Sequence, residues 1–277
     1  MSATGDVAGG APATGPRFLP GFGVLFDKEM REARRQKRII IFTVVMTLLL
    51  ALVPVIAART AETIPDDRAR LLLTADSMDG LVGVWAGIVG YLGALMIVAA
   101  TVDAIAHERA LGVTAWIVTK PVARQSYLLS KIAAHALVGI VAIVVIPTAV
   151  FAALSVGLFQ DVPLERIGLA AVVLSVEMIF LSTLVVALGV PLRSVMPILL
   201  IALAVWFAPV IVPLPAFERT EWTTYVLPSN LPLAAVLSAV RDRGEFAAAA
   251  VTVPMVAVGL TLLLLVAALS LFERQEL

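Results

Sequence analysis

Glu177 lies near the middle of the apolar run from Ile167 to Val190 and is the only acidic or basic residue deep within any long apolar stretch. A carboxyl group is costly in hydrocarbon, so it must face a cavity, a partner helix or a seam between subunits. Its chemistry there would be a proton relay or a contact to transported cargo; the plainer role is a protonated glutamate hydrogen-bonded between helices. Arg193 is 16 positions further on, which at about 1.5 Å per residue is too far for pairing along a straight helix.

Other reactive residue types lack the company their chemistry needs. His107-Glu108 has no second histidine at metalloprotease spacing, and neither a G-x-S-x-G elbow nor a G-x-x-x-x-G-K-[ST] phosphate loop occurs. The chain has no cysteine, which removes disulfides, thiolate metal sites and cysteine nucleophiles. His135, near the start of an apolar run, reads as an interfacial hydrogen-bonding residue. Catalytic, cofactor and metal sites are therefore not expected in this chain.

Chemistry of recognition is concentrated elsewhere, in HERALGVTAWIVTKPVARQSYLLSK, His107 to Lys131, a polar connector between two apolar runs. Ala110 to Thr119 is a short amphipathic unit, and Pro121 stops it by removing a donor and restricting Lys120. A second helix restarts near Gln125. Two elements broken at Lys120-Pro121 make a compact platform that leaves Glu108, Arg109, Lys120 and Arg124 to meet a water-soluble surface, or simply to solvate a loop.

The elements that must carry this platform follow from composition. The 277 residues are 61% hydrophobic and 14% charged, far from the soluble norm of about 25% charged, so the chain is a membrane protein. Lys plus Arg and Asp plus Glu are equal at 20 each, so no net charge draws the chain to nucleic acid. Met1 to Gly21, rich in Gly, Ala and Pro, reads as a disordered tail and not as a signal peptide. Phe22 to Arg38 places Phe22, Leu25, Phe26, Met30 and Ala33 on one helical face and Lys28, Arg31, Arg34 and Arg35 on the others, which predicts an interfacial helix against anionic lipid.

A crossing helix needs about 20 apolar residues for roughly 30 Å of hydrocarbon. Six stretches qualify: Ile39 to Ala58, Leu81 to Val102, Ile132 to Phe159, Ile167 to Val190, Val195 to Val212 and Phe246 to Leu271. Pro54, Pro147, Pro197 and Pro254 interrupt four of them, with structural roles. With the N-terminus inside, 13 Lys and Arg residues fall on the inner side and seven on the outer, which places both termini and the 103–131 connector in the cytoplasm.

The pattern His107-Glu108-Arg109-x-x-Gly112, then Thr119-Lys120-Pro121-Val122-x-Arg124 and Tyr127-Leu128-Leu129-x-Lys131, resembles the permease subunits of type II ATP-binding-cassette (ABC) exporters. So does the leader Asp27-Lys28-Glu29-Met30-Arg31-Glu32, which is similar to the entry of that family's amphipathic elbow helix. The resemblance covers nearly all the chain after the tail. It implies an all-α fold of six transmembrane helices behind an elbow helix at 22–38, a permease domain at 39–277, and a re-entrant or short-helix region at 213–245 on the outer side. From the residues alone that last region reads equally as an ordinary loop with a core-packing helix.

The resemblance further implies a multi-pass protein of a prokaryotic plasma membrane that pairs with a second permease subunit, as a homo- or heterodimer. Glu108, Arg109, Gly112, Lys120, Pro121 and Arg124 would contact or shape the docking site of a separate ATP-binding subunit, and Lys28, Glu29 and Arg31 would lie in the elbow. ATP and Mg would be bound by that subunit, so this chain would be no enzyme. Two other classes remain: a proton-coupled carrier using Glu177, and a membrane anchor that recruits a cytoplasmic protein.

Overall fold

The protein is described by a computed structural model that covers residues 20–63, 75–110, 123–192, 194–211, 227–239 and 248–274. The tail up to residue 19, most of the connector (Gly112, Lys120 and Pro121 included), Arg193, and much of 213–245 lie outside the described residues.

The described residues form helices and no strands. In chain order these are α1 Phe22–Arg35, α2 Lys37–Thr63, α3 Ala75–Thr101, α4 Asp103–Ala110, α5 Arg124–Gly139, α6 Ile146–Leu158, α7 Leu164–Gly189, α8 Val195–Ile211, α9 Leu231–Ala239 and α10 Ala249–Arg274. A π-helical turn, Ile140–Val145, joins α5 to α6, and a 3₁₀ turn, Pro228–Asn230, precedes α9. Five stretches are long and apolar enough to cross a membrane: Lys37–Thr60, Met78–Ile105, Arg124–Leu158, Leu164–Gly189 and Ala249–Arg274. The described part of the stretch expected at Val195 to Val212 is an apolar helix of 17 residues, Val195–Ile211.

The prolines fit their helices differently. Pro54 and Pro254 lie inside α2 and α10. Pro147 has no N–H to give to the preceding turn, and the π-helical turn stands directly before it. Pro197 falls in the first turn of α8, where a missing N–H leaves no intrahelical bond unmade.

α7 is the axis of the packing, with α3, α5, α9 and α10 against it, while α2 lies mainly on α6. Of the most apolar stretch, 67% is buried in α7 against 22% in α2 and 17% in α10, so those two helices give most of their apolar surface to lipid or to another chain. Trp85 of α3 stacks on Phe151 of α6 with ring centroids 5.6 Å apart, and both are fully buried.

The short helix α9 is buried against α3, α7 and α10, with Leu231, Pro232, Ala234, Ala235, Leu237, Ser238 and Ala239 all covered. Its fit to α3 depends on Gly90, where a Cβ would meet the Pro232 Cβ at 2.5 Å and its Cα at 3.1 Å. The described part of this region is a buried helix, with Pro232 at Gly90 and Val236 beside Gly83 of α3. Glycine is the residue that lets two membrane helices approach this closely.

Candidate functional site: an ion cluster at the ends of the connector

α1 turns its apolar face toward protein. Leu25, Met30 and Ala33 are buried, Phe26 is partly covered, and the helix packs on α5. The face expected to enter the head-group boundary is therefore largely covered by the rest of the chain. Glu29 shares that covered face, a position a carboxylate tolerates only with a cation beside it.

That cation is Lys131 of α5, itself 1% exposed. Its Nζ donates to Glu29 Oε1 and Oε2, both at 3.0 Å, and lies 2.9 Å from Glu108 Oε2. The Tyr127 hydroxyl donates to the same Glu108 oxygen at 2.5 Å, and the Lys131 ammonium stands 5.1 Å from the centre of the Tyr127 ring. Tyr127 and Lys131 are one helical turn apart, so α5 presents both to one spot.

The other oxygen of Glu108 accepts a 3.0 Å hydrogen bond from Lys28 Nζ. That ammonium also lies 3.3 Å from Glu29 and 3.5 Å from Glu32. Two lysines and the two carboxylates of Glu29 and Glu108 thus close a charge-balanced ring, with the more exposed Glu32 at its rim. Carboxylate oxygens of Glu29, Glu32 and Glu108 come within 4.8 Å of one another, a spacing that suits a cation; the lysine ammonium groups fill that role.

The electrostatics follow from this geometry. Burial raises the Glu108 pKa, but Lys131, Tyr127 and Lys28 outweigh it and hold the carboxyl below its ordinary value. Burial lowers that of Lys28, and the hydrogen bond to Glu108 with the charges of Glu29, Glu108 and Glu32 more than reverses this, so its ammonium holds its proton more tightly than usual.

Further contacts gather around the ring. Arg38, at the start of α2, bonds Asp103 of α4 at 2.6 Å. The Tyr127 ring stacks on Phe272 of α10 at 5.7 Å, Arg124 donates to the Glu273 carbonyl at 3.2 Å, and Gln125 donates to the Glu273 carboxylate at 2.8 Å. Elements from both ends of the chain therefore converge on the two flanks of the connector, Glu108 before it and Tyr127 with Lys131 after it.

Measured against the sequence expectations, Glu108 is engaged by three partners instead of standing free, and Lys28 and Glu29 join it. Arg31 is exposed on α1 and donates to the Asp27 carbonyl at 3.1 Å. Arg109 is in α4. Lys131 and Tyr127 were visible only as part of a motif, without a role; the signal for them was a polar pair one turn apart on an otherwise apolar face. Glu177 is far from this cluster in sequence, fully buried in α7, and neither of its oxygens has a hydrogen-bond partner among the described residues. His135 is buried in α5, and its Nδ1 has no hydrogen-bond partner among the described residues.

Five helices long and apolar enough to cross a membrane, among the described residues, define a multi-pass membrane protein. The chain belongs to the ABC-2 family of transporter proteins, whose family model matches residues 24–277. It is thus a membrane transport component of the permease type. A comparison with curated proteins found no match.

Proposed function

We propose that the chain is the permease subunit of an ATP-driven exporter, working as a pair with two separate ATP-binding subunits. The observation that carries this reading is the closed base of the connector in a chain of this family: Glu108 before it and Tyr127 and Lys131 after it are joined directly. A segment held at both ends by buried ion pairs is a stiff attachment for a soluble motor, and displacement of that segment is passed to the helices that bear it. The excess of Lys and Arg on its side of the membrane supports a cytoplasmic connector, on the side where ATP is. α1 would serve as the elbow, with Arg31, Arg34 and Arg35 toward anionic head groups.

The test is co-purification from native membrane in mild detergent, with mass identification of companions and an ATPase assay. A stoichiometric phosphate-loop ATPase that is lost on Arg124→Glu supports the reading. An intact, folded chain without such a companion refutes it. One observation favours a second reading, a proton-coupled carrier: Glu177 is fully buried in the middle of α7, with no hydrogen-bond partner among the described residues. Under that reading Glu177→Gln abolishes transport, and no ATPase accompanies the chain.

A further inference from the structure

The ion cluster has a connectivity that docking of an ATPase does not require. A docking platform needs exposed residues, yet Lys131, Glu29 and Glu108 are turned inward, at 2%, 4% and 14% side-chain exposure. Burying charges is expensive and gives little net stability compared with apolar packing of the same volume, so the arrangement is better explained by geometry than by stability. What it fixes is the mutual position of three pieces of chain: α1, the segment entering the connector, and the helix leaving it. Lys131 is the only member that touches the other two pieces at once while almost fully removed from water.

We infer that Lys131 is a positioning residue: through Glu29 and Glu108 it pins α1 to both ends of the connector, so that these three elements move as one rigid body in the transport cycle. The inference deepens the permease reading and rests on it for its functional consequence. Displacement of the connector is then delivered to α1 at the membrane surface as well as to the spanning helices. The alternative is a connector that slides past a stationary α1, which would require Lys131 to leave both oxygens of Glu29 without another cation of comparable burial.

The chain's lack of cysteine allows spin labels to be placed without background, at Val24→Cys, an exposed position of α1, and at Gln125→Cys at the connector exit. In the otherwise native permease–ATPase complex, the distance between these labels is expected to be narrow and identical in nucleotide-free and nucleotide-trapped states. A shift between the states overturns the inference. Glu29→Met with Lys131→Met removes the pin while leaving no uncompensated charge, since Glu108 keeps Lys28 and Tyr127. It should broaden the distance distribution and lower transport per ATP hydrolysed by roughly 5- to 150-fold, the usual span of an allosteric coupling. An unchanged distribution and ratio overturn it as well. The width is also readable in the isolated permease, so absence of an ATPase would defeat the functional reading while the pin stands or falls on its own.

Discussion

Glu29 and Lys131 are 102 residues apart in sequence and meet through both carboxylate oxygens at 3.0 Å, in a setting almost closed to water. A pair of this kind is unforgiving when only one member is removed.

Lys131→Met should therefore destabilise the protein by about 3–5 kcal/mol, because Glu29 is left as a buried charge whose nearest remaining cation is the half-exposed Lys28. Glu29→Met together with Lys131→Met should recover most of that loss. Thermal unfolding in detergent, followed for the single and double variants, reads the difference; equal losses in both would contradict it.

The pH dependence has a definite sign. The Glu108 pKa is depressed on folding, so its contribution to stability is fully present above the ordinary carboxyl value of 4.5 and is lost as pH falls below that toward the folded value. The gap in melting temperature between the native chain and Glu108→Gln should thus be constant near neutrality and shrink below about pH 4.5. A gap that widens on acidification would reverse the assignment. The raised pKa of Lys28 acts at the other extreme: its contribution is present below the ordinary value of 10.5 and fades only as pH rises beyond it.

Gly90→Ala should destabilise by about 1–3 kcal/mol, since the added methyl meets the Pro232 ring and backbone and neither can move freely. Gly87→Ala, on the same helix with nothing within 4 Å of the added carbon, is the control and should be neutral or slightly stabilising. Paired melting curves decide it.

Glu177→Leu should stabilise the fold by about 1–3 kcal/mol, because the carboxyl has no donor among the described residues and replacing it removes its desolvation cost. Under the exporter reading, Glu177→Gln should leave ATP-driven transport in place. Proteoliposome uptake with ATP as the only energy source tests the second point, and loss of transport would favour the carrier.

Much of the helical layout was legible in the sequence because apolar runs of spanning length leave little else for the backbone to do. The stretch from Ile39 to Ala58 lies within α2, and that from Ile167 to Val190 nearly coincides with α7. The stretch from Val195 likewise falls on α8, which is helical through its last described residue, Ile211. The cluster was less legible for a different reason. Periodicity shows that Glu108 has a polar face but not that Lys28, 80 residues earlier, fills it. Likewise α1 was read as lipid-facing because an apolar stripe looks the same whether lipid or α5 covers it; Glu29 on that stripe was the clue that protein, with a lysine, was waiting there.

The π-helical turn between α5 and α6 has a consequence for how this long hydrophobic segment meets its neighbours. One surplus residue at 3.6 residues per turn rotates everything after it by about 100°. Before the turn the helix faces α1 and α7; after it, α6 faces α2 and brings Phe151 onto Trp85. A single continuous segment is thereby phased for two different audiences: losing one residue within 140–145 would let it run on as plain α-helix with its far half still in step, whereas losing one within α6 would turn all that follows by about 100°.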